Sequence, residues 1–72
     1  GEAYKFHDDM KVYRLLVTSK DIVGKKIASI KELKSLRAVV TKVRRAGIDI
    51  KPHPSLALML GDKLYVVAPE KY

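Results

Sequence analysis

The chain has 72 residues, 47% of them hydrophobic, with a net charge of +7 and no cysteine. This length allows one small domain with one modest core and excludes a second domain. The lack of cysteine excludes disulfides and thiolate metal sites, on which many small domains depend. We therefore expect part of the apolar surface to be buried against a second copy or against the rest of a larger protein.

No stretch of the sequence approaches the ~20 apolar residues that cross a bilayer. The N-terminus mixes charges of both signs and lacks the apolar centre of a signal peptide. Because Gly1 stands where Met would begin a chain, we expect a piece of a longer protein. Residues 1–10 are interpreted as a linker, a remnant of that longer chain or an edge strand around Tyr4 and Phe6, and residues 11–72 as a single domain.

The positive charge is concentrated in the middle of the chain. Between Lys20 and Lys51 there are ten basic residues against three acidic ones, whereas the flanks balance. Such an excess favours phosphates, anionic lipid headgroups or an acidic partner surface. A solvated, lysine-rich face that maintains solubility explains the same pattern.

The first half of the domain predicts a strand followed by a helix. Residues 11–18 are rich in β-branched and aromatic side chains, which predicts a strand with most of both faces covered. Residues 25–36 predict one amphipathic helix, continuous or interrupted, because apolar residues recur at every third position. These residues are Ile27, Ile30, Leu33 and Leu36.

The second half predicts two hairpins. Residues 38–45 alternate as a strand, which places Val40 and Val43 on opposite faces and likewise separates Arg44 from Arg45. Residues 46–47 form the first turn, residues 48–51 return, and Pro52 ends that strand. Residues 56–60 then alternate as one arm of a second hairpin, residues 61–62 form its turn, and residues 63–68 close the sheet.

The order and spacing of several short motifs resemble a known family. The motifs are Ile22-Val23-Gly24-Lys25-Lys26-Ile27, a strand ending in Arg44-Arg45, a return strand to Pro52, and Leu60-Gly61-Asp62-Lys63-Leu64-Tyr65-Val66-Val67. Together, over residues 11–69, they resemble the TrkA C-terminal domain, the C-terminal subdomain of the regulator of potassium conductance (RCK_C). The copies in transporters of the aspartate:alanine exchanger type are most similar. Two departures from the family pattern are the absence of Gly between Leu33 and Ala38, and Pro69 where Gly usually closes the last strand.

The resemblance implies an α+β fold, with a small antiparallel β-sheet of about four to five strands packed with one short helix. It also implies a regulatory domain that gates or tunes a bacterial cation or potassium channel or transporter, commonly paired with another copy. The expected partners are the rest of a parent membrane transporter and an anionic small ligand. The expected location is the cytoplasmic side of the inner membrane. The sequence identifies no cofactor.

Four residues near the first hairpin are candidates for binding an anionic ligand: Arg44, Arg45, Lys51 and His53. Guanidinium groups suit phosphate or carboxylate, and an imidazole held between two prolines can contact the same group. The alternatives are ion pairs of the arginines with Asp49 or another acid, and a plain surface role for His53.

Other polar residues have simpler interpretations. Gly24, Gly47 and Gly61 lack the spacing of a phosphate-binding loop and are assigned to turns. Asp62 is expected to accept hydrogen bonds from backbone amides in its turn. The run His7-Asp8-Asp9 has metal-ligand types, but adjacent side chains do not converge on one ion, so no metal site is predicted.

Catalysis and nucleic-acid binding are both disfavoured. The sequence has no cysteine nucleophile and none of the usual hydrolase or zinc motifs, so we predict that the protein is not an enzyme. A small nucleic-acid-binding domain is the alternative function, based on the basic middle of the chain. All five aromatic residues lie outside that basic segment, which argues against this alternative.

Overall fold

The computed structural model describes residues 10–70. They form a four-stranded antiparallel sheet, with one short helix and an irregular segment on the core side. The strands are β1 (Met10–Leu16), β2 (Val39–Arg45), β3 (Ile48–Ile50) and β4 (Lys63–Pro69), in the spatial order β1-β4-β2-β3. The predicted α+β class with an antiparallel sheet is confirmed. The interpretations of residues 1–9 lie outside the described residues.

One hydrophobic core lies between the helix and one face of the sheet. The inner strands β4 and β2 contribute residues to it, and α1 and the irregular segments supply the rest. Its buried members are Val17, Ile30, Leu33, Val43, Leu58, Leu64 and Val66. The face of the sheet opposite this core has no described element packed on it, which is common for antiparallel sheets.

The helical region is interrupted. A 3₁₀ turn (Ile27–Ser29) and helix α1 (Lys31–Ser35) are separated by Ile30, whose backbone is extended. Ile30 and Leu33 are buried as the predicted stripe requires, whereas Leu36 is exposed. The break arises because Lys26 pairs with Ala57 and the Ile27 amide donates to the Leu56 carbonyl, which holds the start of this segment in a loop conformation.

Helix α1 ends in a Schellman motif that contains no glycine. The amide of Ala38 donates to the Leu33 carbonyl at 2.9 Å, and the amide of Arg37 donates to the Lys34 carbonyl at 3.0 Å. Arg37 has a φ of 56°, the left-handed conformation that glycine adopts most easily. Arg37 therefore has, without a glycine, the backbone geometry typical of a glycine that ends a helix.

Arg37→Gly is expected to stabilise the domain. An L-residue in the left-handed region costs about 1–2 kcal/mol, and the greater freedom of Gly in the unfolded chain cancels part of that gain. We expect a net gain of about 0.5–1 kcal/mol, which raises the melting temperature by several degrees. Arg37→Ala keeps the Cβ and is the matched control, with no gain expected. Equal melting temperatures for the Gly and Ala variants would refute the backbone explanation.

Strand β2 contains a bulge that the alternation did not predict. Val40 lies opposite the buried Val66 and Val43 lies opposite the buried Leu64, so both face the core, with an irregularity between Val40 and Lys42. The prediction that Val40 and Val43 lie on opposite faces was therefore wrong, because Thr41 is the extra residue of the bulge. Beyond the bulge, Arg44 and Arg45 lie on opposite faces, as predicted.

The first hairpin has the predicted two-residue turn. Arg45 pairs with Ile48, and the intervening Ala46 and Gly47 both have positive φ, at 51° and 78°. Positive φ at both positions is the geometry whose twist matches that of the flanking strands.

The second hairpin differs from its prediction. Residues 56–60 precede β4 but are not a strand of the sheet, because both edges of β4 are already paired with β1 and β2. Instead, Leu58 exchanges backbone hydrogen bonds with the loop before the 3₁₀ turn: its amide donates to the Lys25 carbonyl and its carbonyl accepts from the Gly24 amide. The alternation predicts burial only in part, because Leu58 is buried and Leu56 is partly buried, whereas Leu60, at the same phase of the alternation, is exposed.

Strand β1 is correctly predicted as a strand, but the predicted coverage of both its faces is wrong. All seven of its residues are exposed. Strand β1 is an edge strand paired only with β4 among the described elements, and neither the helix nor the 56–60 segment extends over it.

Candidate functional site

The structure does not bring the four candidate ligand-binding residues together. Arg44 lies on the outer face of the sheet, which is the face opposite the core, and Arg45 projects from the core side. Lys51 and His53 are exposed in the segment after β3. The two arginines therefore lie on different faces, as the alternation predicted, and the role of each of the four residues in ligand binding stays a prediction.

Arg44 forms an exposed ion pair within the hairpin. Its Nη1 donates to Asp49 Oδ1 at 2.8 Å, and Lys42 Nζ lies 3.8 Å from Asp49 Oδ2. Because these groups are all substantially exposed, the pair is screened by solvent and contributes little to stability. Arg44 is consequently free to exchange Asp49 for another anion at low energetic cost.

Arg45 is bound to Asp62 by two hydrogen bonds. Its Nε donates to Oδ1 at 2.9 Å and its Nη2 donates to Oδ2 at 2.8 Å. Nη2 also donates to the Ala57 carbonyl at 3.0 Å. The guanidinium thus ties the end of β2 to the segment that leads into β4, which is a structural role.

Asp62 is the buried member of this ion pair, with 1% of its surface exposed. Its Oδ2 also accepts the Met59 amide at 2.8 Å, which agrees with the predicted turn role. The hydrogen bonds from Arg45 hold the pKa of the Asp62 carboxyl below its usual value, the Met59 amide acts in the same direction, and burial opposes them. The same contact raises the pKa of Arg45. Asp62 therefore stays ionised inside the fold.

His53 borders a groove with a volume of about 420 Å³. The groove lies between the 3₁₀ turn, α1, the start of β2 and the Pro52-His53-Pro54 segment. It is lined by Ile27, Ala28, Leu33, Lys34, Ala38, Val39, Val40, Pro52, His53 and Pro54. Its volume falls in the range of small-molecule sites, and its walls are apolar with His53 and Lys34 as their polar groups.

The backbone fixes the wall of the groove that carries His53. The Ala28 amide donates to the Pro54 carbonyl at 3.1 Å, and the Leu56 amide donates to the His53 carbonyl at 3.0 Å. The first bond joins the proline segment to the 3₁₀ turn, and the second closes a turn within residues 53–56. Lys34 was not among the predicted site residues, because the groove combines residues 27–40 with residues 52–54 and no local motif marks it.

The turn glycines all adopt left-handed backbone conformations, with φ values of 87° at Gly24, 78° at Gly47 and 88° at Gly61. Among residues 10–70 there is no group of three potential metal ligands, and the run 7–9 lies outside the described part. No helix in that part has the length and apolar character needed to cross a membrane.

Comparison with known proteins finds several relatives that are named as transporters. The chain is 43% identical over 61 residues to an uncharacterised transporter of Bacteroides fragilis, an alignment that covers 85% of this chain and 12% of the relative. An uncharacterised transporter of Bacteroides thetaiotaomicron has the same identity and coverage. A second Bacteroides fragilis transporter is 37% identical over 57 residues, or 79% of this chain and 10% of the relative.

The chain thus spans only about an eighth of the length of these relatives. The sequence model of the TrkA-C domain matches residues 12–71, which include β1 apart from its first two residues, the other three strands, α1 and the groove. This chain therefore belongs to the TrkA-C domain family.

Proposed function

We propose that this chain is a regulatory, non-catalytic domain of a bacterial membrane transporter and lies on the cytoplasmic side of the membrane. Its membership of the TrkA-C family and the names of its relatives support this role. The parent protein determines which solute is transported. The names of the relatives are compatible with either a cation transporter or an amino-acid exchanger. The structural observation that carries the proposal is the groove beside His53.

The groove suits a small anionic ligand that also has an apolar part. Ile27, Pro52 and Pro54 offer apolar contact, and Lys34 and the exposed His53 offer hydrogen-bond donors to an anion. Arg44 and Lys51 add positive charge to the surrounding surface and attract an anion from solution. Arg45 acts indirectly, because its contact with Asp62 fixes the hairpin that leads to the proline segment.

Ligand binding regulates transport by changing how two copies of the domain pair. A ligand shifts an equilibrium only through a difference in its affinity for the two arrangements. The groove is open to solvent along residues of α1 and β2. A second copy of the domain placed across this opening would therefore contact both the bound ligand and the first copy. Such a shared site couples occupancy to pairing.

Calorimetry against nucleotides, cyclic dinucleotides, amino acids and divalent cations tests the proposal. We expect one class of anion to bind and Lys34→Ala or His53→Ala to weaken its affinity by roughly tenfold or more, because each removes a hydrogen bond to a charged group. Lys31→Ala, on α1 but outside the groove, is the matched control and should leave the affinity unchanged.

Sedimentation with and without the ligand then measures pairing. A shift in the monomer and dimer populations supports regulation through pairing. No binding across the whole panel in a dimeric sample would refute ligand sensing and leave a scaffold role.

A further inference from the structure

The outer face of the sheet, on the side opposite the core, carries an unusual arrangement of exposed residues. In β4, Leu64 and Val66 point into the core, so Tyr65 and Val67 lie on the outer face. The strand register places Val12 of β1 and Val39 of β2 on either side of Val67. We call these three residues the valine row. Val12 and Val39 are 73% and 57% exposed.

The neighbouring row combines an aromatic ring with two cations. Arg14 and Lys42 lie on either side of Tyr65. Lys42 Nζ is 4.4 Å and Arg14 Cζ is 5.8 Å from the centre of the Tyr65 ring. Contact with the ring holds both cations near the sheet surface and beside the valine row. The aromatic residue that the linear sequence separates from the basic segment is thus adjacent to it in the fold.

A third row adds two further cations, Arg44 and Lys63, and the apolar Leu16. The acid on this face in the described residues is Asp49, whose carboxylate is already bound to Arg44 at 2.8 Å. The outer face thus presents four cations against one paired acid, beside an apolar row that protrudes into solvent.

The charge of this face determines which occupant fits it. A second copy that presented the same face would bring four cations against four, and like charges across an interface oppose association. An anionic occupant is favoured instead. An acidic protein would have to match both the apolar row and the cations in shape, whereas a membrane offers an apolar phase and anionic headgroups at adjoining depths.

We propose that the outer face of the sheet docks on an anionic membrane surface. The valine row contacts the boundary between headgroups and acyl chains, and Arg14, Lys42, Arg44 and Lys63 contact lipid phosphates. The inference rests on the proposed transporter setting, in which the tether to the membrane raises the local concentration of lipid and makes a weak intrinsic affinity sufficient. Docking on this face leaves most of the groove beside His53 open, because the groove lies mainly on the core side of the sheet. Of the residues proposed to contact the membrane, Val39 also lines the groove.

Co-sedimentation of the 72-residue chain with lipid vesicles tests docking. We expect binding to vesicles of phosphatidylglycerol mixed with phosphatidylcholine, little binding to vesicles of phosphatidylcholine alone, and a decrease with added salt. The double variant R14E/K42E should weaken the partition coefficient at least about 20-fold, since each cation near an anionic surface contributes about fivefold. Circular dichroism verifies that each variant is folded.

Two further variants separate docking from general charge attraction. K20E/K31E changes the net charge equally at exposed positions outside the strands of the sheet, so it should weaken binding far less than R14E/K42E does. V12S/V39S leaves the charge unchanged and should weaken binding by about tenfold through the loss of apolar contact. Equal losses for the two charge-reversal variants, or no loss for V12S/V39S, would overturn the proposal.

Other occupants give distinct results. If the chain does not sediment with anionic vesicles but V12S/V39S abolishes a dimer, a second copy covers the face and the proposal fails. If single-stranded DNA or RNA binds to the face and the vesicles do not, it fails equally. Ligand binding in the groove without vesicle binding would refute docking alone, whereas vesicle binding without any ligand would refute the sensor role alone.

Discussion

Replacing Asp62 with Ala is expected to lower the free energy of unfolding by about 2–4 kcal/mol, because the change removes a buried carboxylate and leaves the partly buried Arg45 guanidinium and the Met59 amide without their acceptor. The carboxylate satisfies Arg45 through two atoms and the Met59 amide through one. In the variant, the Arg45 guanidinium keeps only its bond to the Ala57 carbonyl among the protein contacts found in residues 10–70. For a domain of this size, such a loss is a large fraction of the total stability.

Asp49→Ala is the matched control, since Asp49 also binds an arginine of the same strand at 2.8 Å. Half of the Asp49 side chain is exposed, compared with 1% of Asp62. We expect Asp49→Ala to cost less than about 1 kcal/mol. Urea unfolding followed by circular dichroism measures both. A similar cost for the two variants would show that burial does not determine the strength of these pairs.

The Arg45–Asp62 pair marks the limit of what the sequence reveals about the site. An acid after a turn glycine predicts a turn role, and Asp62 does accept the Met59 amide. The sequence also allows Arg45 to form an ion pair, but it does not indicate which acid is the partner. That partner lies 17 residues away and is brought close only when β4 pairs with β2. Local patterns do not specify such a contact.

The fold itself is predictable where local rules operate. The hairpin turn at Ala46-Gly47 and the alternation along β4 follow from residue types and periodicity alone. Periodicity alone does not reveal the bulge at Thr41. Two residues three positions apart, such as Val40 and Val43, can both face the core from one strand only if a bulge lies between them. The exposure of β1 and the absence of a strand at residues 56–60 depend on sheet order, which periodicity does not encode.

The groove shows the same limit. His53 is recognisable as a candidate because two prolines flank it, yet Lys34 lies in α1 and shares the groove only through tertiary packing. In a single continuous helix over residues 27–36, all the side chains would follow one helical repeat. The break at Ile30 changes that orientation, and hydrogen bonds to residues 54 and 56 cause it.

Leu58→Ala is expected to lower the free energy of unfolding by about 2–5 kcal/mol, the range for truncating a fully buried leucine. Leu58 is 0% exposed and lies in the core with Val43 and Leu64. Its backbone bonds to Lys25 and Gly24 fix it in place, so the surrounding residues have little freedom to fill the cavity. The irregular segment thus contributes as much to the core as a strand would.

Leu60→Ala provides the comparison within the same alternating run. Leu60 is 69% exposed, and its truncation should change the free energy of unfolding by no more than about 0.5 kcal/mol. Thermal and urea unfolding of the two variants measure the difference directly. If residues 56–60 did not contribute to the core, Leu58→Ala would lower the free energy of unfolding as little as Leu60→Ala does. A large difference instead establishes that burial of Leu58 in the core anchors residues 56–60 although they are not a strand of the sheet.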